Sequence, residues 1–218
     1  MDSIDLCLQK ARLAVRSDRN SALCHIQNGS AELASNLVLA TGAAPSIRRT
    51  ISKLESAMRK IGRIDLFNEY VSLYGIPDTL ERASFLCEQL KQGYREVWSY
   101  MNEKAAGPAY MIQQPSSESW FRNRIQPIFE HDKRDLVWIV FIEYPYILRF
   151  IFKTIGIDDF PEHAFKPFMN LSGPPAYWVN RYLSILNLIP EAMVSDLLST
   201  AGQLNAEAKK LAHKKYLN

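Results

Sequence analysis

Two clusters of acidic residues and histidines flank the most apolar stretch of the chain, Leu136 to Phe152. Before the stretch come Glu130, His131 and Asp132, and after it come Asp158, Asp159, Glu162 and His163. Carboxylates and imidazoles are common ligands of divalent metals. The clusters would meet only if Pro145 turned the stretch into a tight hairpin, and the sequence around Pro145 is not the polar loop typical of a helical hairpin. We therefore expect polar helix caps here, with no metal site and no cofactor.

His131 also ends a predicted helix that carries Arg122 and Arg124. The spacing Arg124-x6-His131 resembles the Arg-x(4-6)-His motif of HEPN-type helical ribonucleases. In such a site, arginine and histidine near one face stabilise and protonate groups around a phosphodiester. A histidine at a helix C-terminus is also favoured by the helix dipole alone, and we prefer that explanation. The resemblance implies ribonuclease activity as an alternative function.

A basic face on one predicted helix is the first candidate binding surface. At 100° per residue its members lie within about 40° of one line, opposite Ile51 and Met58; they are Arg49, Lys53, Lys60 and Arg63. Such a face can bind nucleic-acid phosphates, an anionic membrane surface or an acidic protein. The alternative is an ordinary solvated helix face. No aromatic residue accompanies the bases, which disfavours binding of single strands by base stacking.

Aromatic residues near the end of the chain form the second candidate surface. Tyr177, Trp178 and Tyr182 cannot all face one core, because their positions on a helix are about 100° and 500° apart. At least one should therefore reach the surface. Trp, Tyr and Arg are enriched at binding hot spots, so we place Trp178, Arg181 and Tyr182 at a partner interface. The alternative is that Trp178 and Tyr182, four residues apart, pack into the core.

The elements that position these residues are predicted to be helices throughout. Apolar residues recur at helical spacing from Ile4 onward, which predicts an all-α bundle of about nine helices. Asp78 and Glu81 have the spacing of a capping box at the start of one helix. The 136–152 stretch has fourteen apolar residues of seventeen, and it is too short and too charged to be a membrane span. We interpret it as a buried central helix that is kinked at Pro145.

The two ends of the chain differ in composition. The first 66 residues contain no aromatic residue, whereas residues 120–182 hold fifteen of the twenty-four. Ten bases against five acids through Arg63 make the first part basic, within a chain of 218 residues and net charge +3. We predict a basic helical region at 1–104, a linker at 105–117 and an aromatic-rich helical region at 118–218. A single compact domain is the alternative.

Cysteine use and the N-terminus bear on the compartment. The three cysteines are an odd number without CxxC spacing, which favours a reducing compartment. The first residues lack the features of a secretory signal. We therefore expect a cytoplasmic protein, or one delivered into the cytoplasm of another cell. The predicted function is a non-enzymatic module that binds another protein, and the alternatives are nucleic-acid binding through the basic face and a HEPN-like ribonuclease.

Overall fold

A computed structural model describes residues 3–46, 49–107, 109, 113, 116–129 and 132–217, with the backbone alone at 124, 129 and 215–217. This part of the chain forms nine helices and no strand, which confirms the predicted all-α fold. The helices are α1 Ser3–Ala14, α2 Arg19–Ala40, α3 Thr50–Lys60, α4 Ile64–Ser72, α5 Ala83–Glu103, α6 Ser117–Trp120 continued by the π-helical turn Phe121–Ile125 and by Gln126–Phe129, α7 Lys133–Thr154, α8 Pro174–Leu186 and α9 Val194–Leu217. Two short 3₁₀ turns, Lys166–Phe168 and Glu191–Met193, precede α8 and α9.

The helices divide into two compact units. The first unit comprises Met1–Ile76 and Ile189–Asn218, and the second comprises Pro77–Leu188. The linker predicted at 105–117 therefore belongs to the second unit, and part of it lies outside the described residues. The last helix returns to the first unit, where it packs against α1, α2 and α4. Local composition carries no signal for such a return, because it depends on contacts between opposite ends of the chain.

The first unit has an aliphatic core. Helix α1 buries Ile4, Leu8 and Ala11 against α2, where Gly29 lies so close to Cys7 that an added Cβ would be 3.2 Å from the Cβ of Cys7. Asp18 caps α2 by accepting a hydrogen bond of 3.0 Å from the amide of Ser21. The unit is thus held by close helix packing of small and branched side chains.

The second unit is built around α7, which runs without interruption through Pro145. Asp132 caps its start by accepting a hydrogen bond from the Arg134 amide. Most of the predicted central stretch is buried, including Leu136, Ile147 and Phe152, so its helical form and its burial are confirmed. The bend at Pro145 stays a prediction. Among the described residues, none of the helices is long and apolar enough to cross a membrane.

Aromatic side chains fill the core of this second unit. Tyr94 of α5 stacks on Trp120 with ring centroids 4.0 Å apart, and Tyr144 of α7 stacks on Tyr182 at 5.1 Å. Trp178 of α8 lies against the backbone of α5, where a Cβ at Gly93 would be only 3.0 Å from the indole ring. The absent side chain at Gly93 therefore allows α5 and α8 to approach closely.

One predicted helix start is wrong. Asp78 and Glu81 do not form a capping box, because α5 begins only at Ala83 and Arg82 precedes it without a side-chain cap. Asp78 has a φ of 55°, and its carbonyl accepts the Arg82 amide in a turn. Asparagine and aspartate are among the non-glycine residues that enter this left-handed region most readily, so the residue that favours capping here favours a turn instead.

Candidate functional site

Helix α3 and its N-cap residue carry four exposed cations, of which Arg59 is paired with Glu55. Its inner face buries Ile51, Leu54 and Met58, each with no accessible surface. On the outside, the side chains of Arg49, Lys53 and Lys60 are exposed. Within the described part of the chain, none of the three takes part in an ion pair. We call these residues the α3 basic face.

Arg63, the fourth base predicted for this surface, serves another purpose. The chain leaves the helix at Gly62, which has a φ of 69°, so a wheel drawn for α3 does not extend to Arg63. Arg63 lies at the start of α4 and forms ion pairs with Asp65 at 2.9 Å and with Glu207 of α9 at 3.1 Å. Hydrogen bonds to Asp65 and then to Glu207 raise the pKa of its guanidinium. Arg63 thus links α4 to α9, and its charge is balanced within the unit.

The partner interface predicted on α8 required exposed aromatic side chains, and two of these side chains are buried. Trp178 and Tyr182 have no accessible surface. The indole nitrogen of Trp178 donates to the carbonyl oxygen of Tyr144 at 3.2 Å, which satisfies its one polar atom. These two side chains pack into the core, the alternative that the spacing of four residues left open. Tyr177 reaches the surface with 53% of its area exposed, in agreement with the expectation that at least one of the three would do so.

Arg181 lies in a polar cluster at the edge of the second unit. Its Nε donates to the carboxylate of Glu96 at 2.7 Å, and its Nη1 donates to Gln89 at 3.1 Å. Burial acts to raise the pKa of Glu96, but the hydrogen bonds from Arg181 and Gln92 and the charge of Arg181 outweigh burial and lower it. Arg181 therefore connects α8 to α5, and its guanidinium is already occupied.

Asp132, the described member of the first cluster, and the second cluster lie at opposite ends of the central helix. Because α7 is continuous over 22 residues, its ends are separated by roughly 30 Å at 1.5 Å per residue. His163 lies 3.6 Å from Glu162 after the helix, and Asp132 caps its start. Glu130, His131 and the side chain of Arg124 lie outside the described residues, so the ribonuclease motif stays a prediction. In the described ranges, no group of three potential metal ligands comes together.

A cleft between α1 and α9 is a feature that the sequence analysis missed. It has a volume of about 460 Å³ and lies entirely within the first unit. Its lining consists of Asp5, Leu8, Gln9, Arg12, Gly202, Asn205, Ala206 and Lys209. In each helix these residues follow the spacing i, i+3, i+4, i+7, which places them on one face. That spacing was available from the sequence, but the pairing of two faces about 200 residues apart was not.

One end of this α1/α9 cleft carries a fixed polar network. The carboxylate of Asp5 accepts a hydrogen bond from the Asn205 amide at 2.8 Å and forms an ion pair with Lys209 at 2.7 Å. The hydrogen bond from Lys209 lowers the pKa of Asp5, which keeps the carboxylate charged. Arg12 lies at the other end, where its Nη2 is 3.6 Å from the position of a Cβ at Gly202. The cleft therefore has an anion bound to a cation at one end and an exposed guanidinium at the other.

Comparison with known proteins gives no relative for this arrangement. No protein-family model, no curated protein and no solved structure matches the chain. The two surfaces of the first unit, the α3 basic face and the α1/α9 cleft, thus have to be interpreted from their own chemistry.

Proposed function

We propose that the protein is a non-enzymatic helical interaction module that binds an acidic partner protein through the α3 basic face. The observation that carries this proposal is the exposure of Arg49, Lys53 and Lys60 without an ion pair among the described residues. On the same helix, the exposed Arg59 is balanced by Glu55 at 2.8 Å. The three remaining charges are therefore available to an acidic surface.

The basic face is also dispensable for folding. The opposite face of α3 buries Ile51, Leu54 and Met58, and this burial accounts for the packing of the helix in the unit. Exposed side chains without such contacts typically change stability by about 0.5 kcal/mol or less when substituted. Charges that do not contribute to folding can be selected for binding.

An acidic protein fits this surface better than a nucleic acid does. Helix α3 contains no aromatic side chain on which a base could stack, and only three cations of the predicted four are exposed. A nucleic-acid site typically neutralises several more phosphates, since affinity arises from counterion release at each of them. Three cations on one short helix match the size of an acidic helix or loop.

A charge-reversal experiment tests the proposal. Arg49, Lys53 and Lys60 are replaced together by Glu, and the matched control replaces the exposed bases Arg16, Arg82 and Lys166 by Glu, which gives the same net charge. Binding of a labelled Glu-rich peptide, duplex DNA and single-stranded RNA is measured by fluorescence anisotropy at 50 and 200 mM salt. We expect the face variant to stay folded and to weaken peptide binding about tenfold or more, a loss of about 1.4 kcal/mol. The control variant should keep peptide binding within about twofold, because its charges lie elsewhere.

Two outcomes contradict the proposal. Equal loss of peptide binding in both variants would mean that net charge alone governs the interaction. Tighter binding to DNA or RNA than to the peptide, with a logarithmic salt slope of about −0.9 per phosphate on duplex DNA, would assign the face to nucleic acid instead.

A further inference from the structure

The α1/α9 cleft has the dimensions of a small-molecule site. Its volume of about 460 Å³ falls within the range of roughly 300 to 1,000 Å³ that is usual for ligand pockets. Asp5 and Arg12 are seven residues apart on α1, so their positions differ by about 10 Å along the helix axis. A ligand that reaches both ends therefore has the length of a six-carbon chain or of a sugar with one substituent.

Small residues create the space between the two ends. Gly202 and Ala206 line the α9 side of the cleft, at positions where larger apolar side chains would fill the space between two packed helices. An added Cβ at Gly202 would contact only the guanidinium of Arg12, at 3.6 Å. The floor is Leu8, which is 3% exposed. The cleft is thus open because the side chains on its α9 side are small. The packing of the two helix backbones does not depend on this open space.

The polar groups of the cleft define what it can bind. Arg12 is exposed and, in the part of the chain that the structure describes, has no ion pair; the amide of Gln9 is exposed beside it. A guanidinium recognises carboxylate and phosphate groups by two parallel hydrogen bonds. At the other end, Asn205 is 6% exposed and its amide orients the Asp5 carboxylate. Carboxylate and amide groups accept and donate the hydrogen bonds that hydroxyl groups require.

We propose that the α1/α9 cleft binds a small polyol that carries one oxyanion, either a sugar phosphate or a sugar acid. Arg12 binds the phosphate or carboxylate. Asp5, Asn205 and Gln9 form hydrogen bonds with the hydroxyl groups, and Lys209 keeps the Asp5 carboxylate charged and in place. The proposal does not depend on the α3 basic face, because it uses a different surface of the first unit.

Isothermal titration calorimetry of the full chain with four probes tests this site. The probes are glucose 6-phosphate, gluconate, glucose and inorganic phosphate. We expect one of the two anionic polyols to bind at least about tenfold more tightly than glucose or phosphate, because only they satisfy both ends of the cleft. The tighter of the two identifies the oxyanion.

Paired variants separate the cleft from general charge and from folding. Arg12→Gln and Gly202→Leu should each raise the Kd about tenfold or more, the first by removing the oxyanion contact and the second by filling the space. Arg16→Gln and Gln203→Leu, exposed neighbours outside the cleft lining, should leave the Kd within about twofold. Leu is a better helix former than Gly, so Gly202→Leu should melt at or above the wild-type temperature.

Three results would overturn the proposal: no heat of binding with either anionic polyol, inorganic phosphate binding as tightly as the tighter of the two anionic polyols, or unchanged binding in the folded Gly202→Leu variant. Each would show that the cleft does not select the ligand.

Discussion

The cores of the two units are packed by different kinds of side chain. The first unit is packed mainly by aliphatic residues such as Leu23, Ile26 and Leu33, whereas the largest buried side chains of the second are Trp120, Trp178 and a set of tyrosines. Aliphatic side chains bring no polar atoms into the core. Buried Tyr and Trp bring hydroxyl and N–H groups, which require partners when they are removed from water.

The polar groups buried in the two units also differ in kind. The core of the second unit contains a hydrogen bond of 2.5 Å from the Tyr94 hydroxyl to the buried carboxyl group of Glu143. The first unit buries the smaller polar side chains of Ser21, Gln27 and Ser30, and it carries the α3 basic face and the α1/α9 cleft at its surface. The comparison shows that both cores contain polar groups, and that those of the second unit include two carboxyl groups, Asp135 and Glu143.

The largest loss of stability is expected when an aromatic ring is removed from the core of the second unit. Trp178→Ala should destabilise the protein by about 3 to 5 kcal/mol, because it leaves a large cavity beside Gly93 and removes the bond to the Tyr144 carbonyl. The matched control is the adjacent Tyr177→Ala, where 53% of the residue is exposed, and it should cost about 1 kcal/mol or less. Urea unfolding followed by circular dichroism measures both. Similar midpoints for the two variants would refute the assignment of Trp178 to the core.

A second test compares two buried tyrosine hydroxyls. Tyr94 donates to the carboxylate of Glu143, and Tyr70 of the first unit donates to the neutral carbonyl of Ser30 at 2.9 Å. Tyr94→Phe should cost about 1.5 to 3 kcal/mol and Tyr70→Phe about 0.5 to 1.5 kcal/mol, since hydrogen bonds to charged groups are the stronger class. Both changes remove one oxygen atom and leave the ring. A larger loss of stability in Tyr70→Phe than in Tyr94→Phe would contradict this difference between the units.

The smallest expected effect is a pH-dependent one in the second unit. The folded pKa of Glu96 is lowered, so its pairing with Arg181 contributes stability above the unfolded value of about 4.3 and loses it as the pH falls through the folded pKa. With 26% and 20% of the two side chains exposed, the contribution is about 1 kcal/mol at most. Glu96→Gln should therefore lower the melting temperature at pH 7 and have a smaller effect at about pH 3.

The control for this pH effect is Glu69→Gln, an exposed carboxylate of the first unit with no resolved ion pair among the described residues. It should leave the melting temperature unchanged at both pH values. A loss of stability in Glu96→Gln that is the same at pH 3 as at pH 7 would mean that packing, not charge, explains the role of Glu96.

Much of the secondary structure was predictable from local pattern. The helical spacing of Ile51, Leu54 and Met58 correctly identified the buried face of α3, and the apolar run at 136–152 correctly identified the core helix of the second unit. The predictions failed where local signals compete. Asp78 fits both a cap and a turn, and Arg63 matches the wheel of α3 although the helix ends before it.

What the sequence by itself determined is the fold class, the positions of most helices and the exposure of Arg49, Lys53 and Lys60, because these depend on periodicity within one turn or a few turns of helix. Tertiary structure alone decided three further features: the return of α9 to the first unit, the ion pair of Arg63 with Glu207, and the α1/α9 cleft. Each depends on contacts between residues more than 140 positions apart, for example Arg63 with Glu207. Such contacts leave no periodic signal in a single sequence, since periodicity reports which face a residue occupies and not which face it meets.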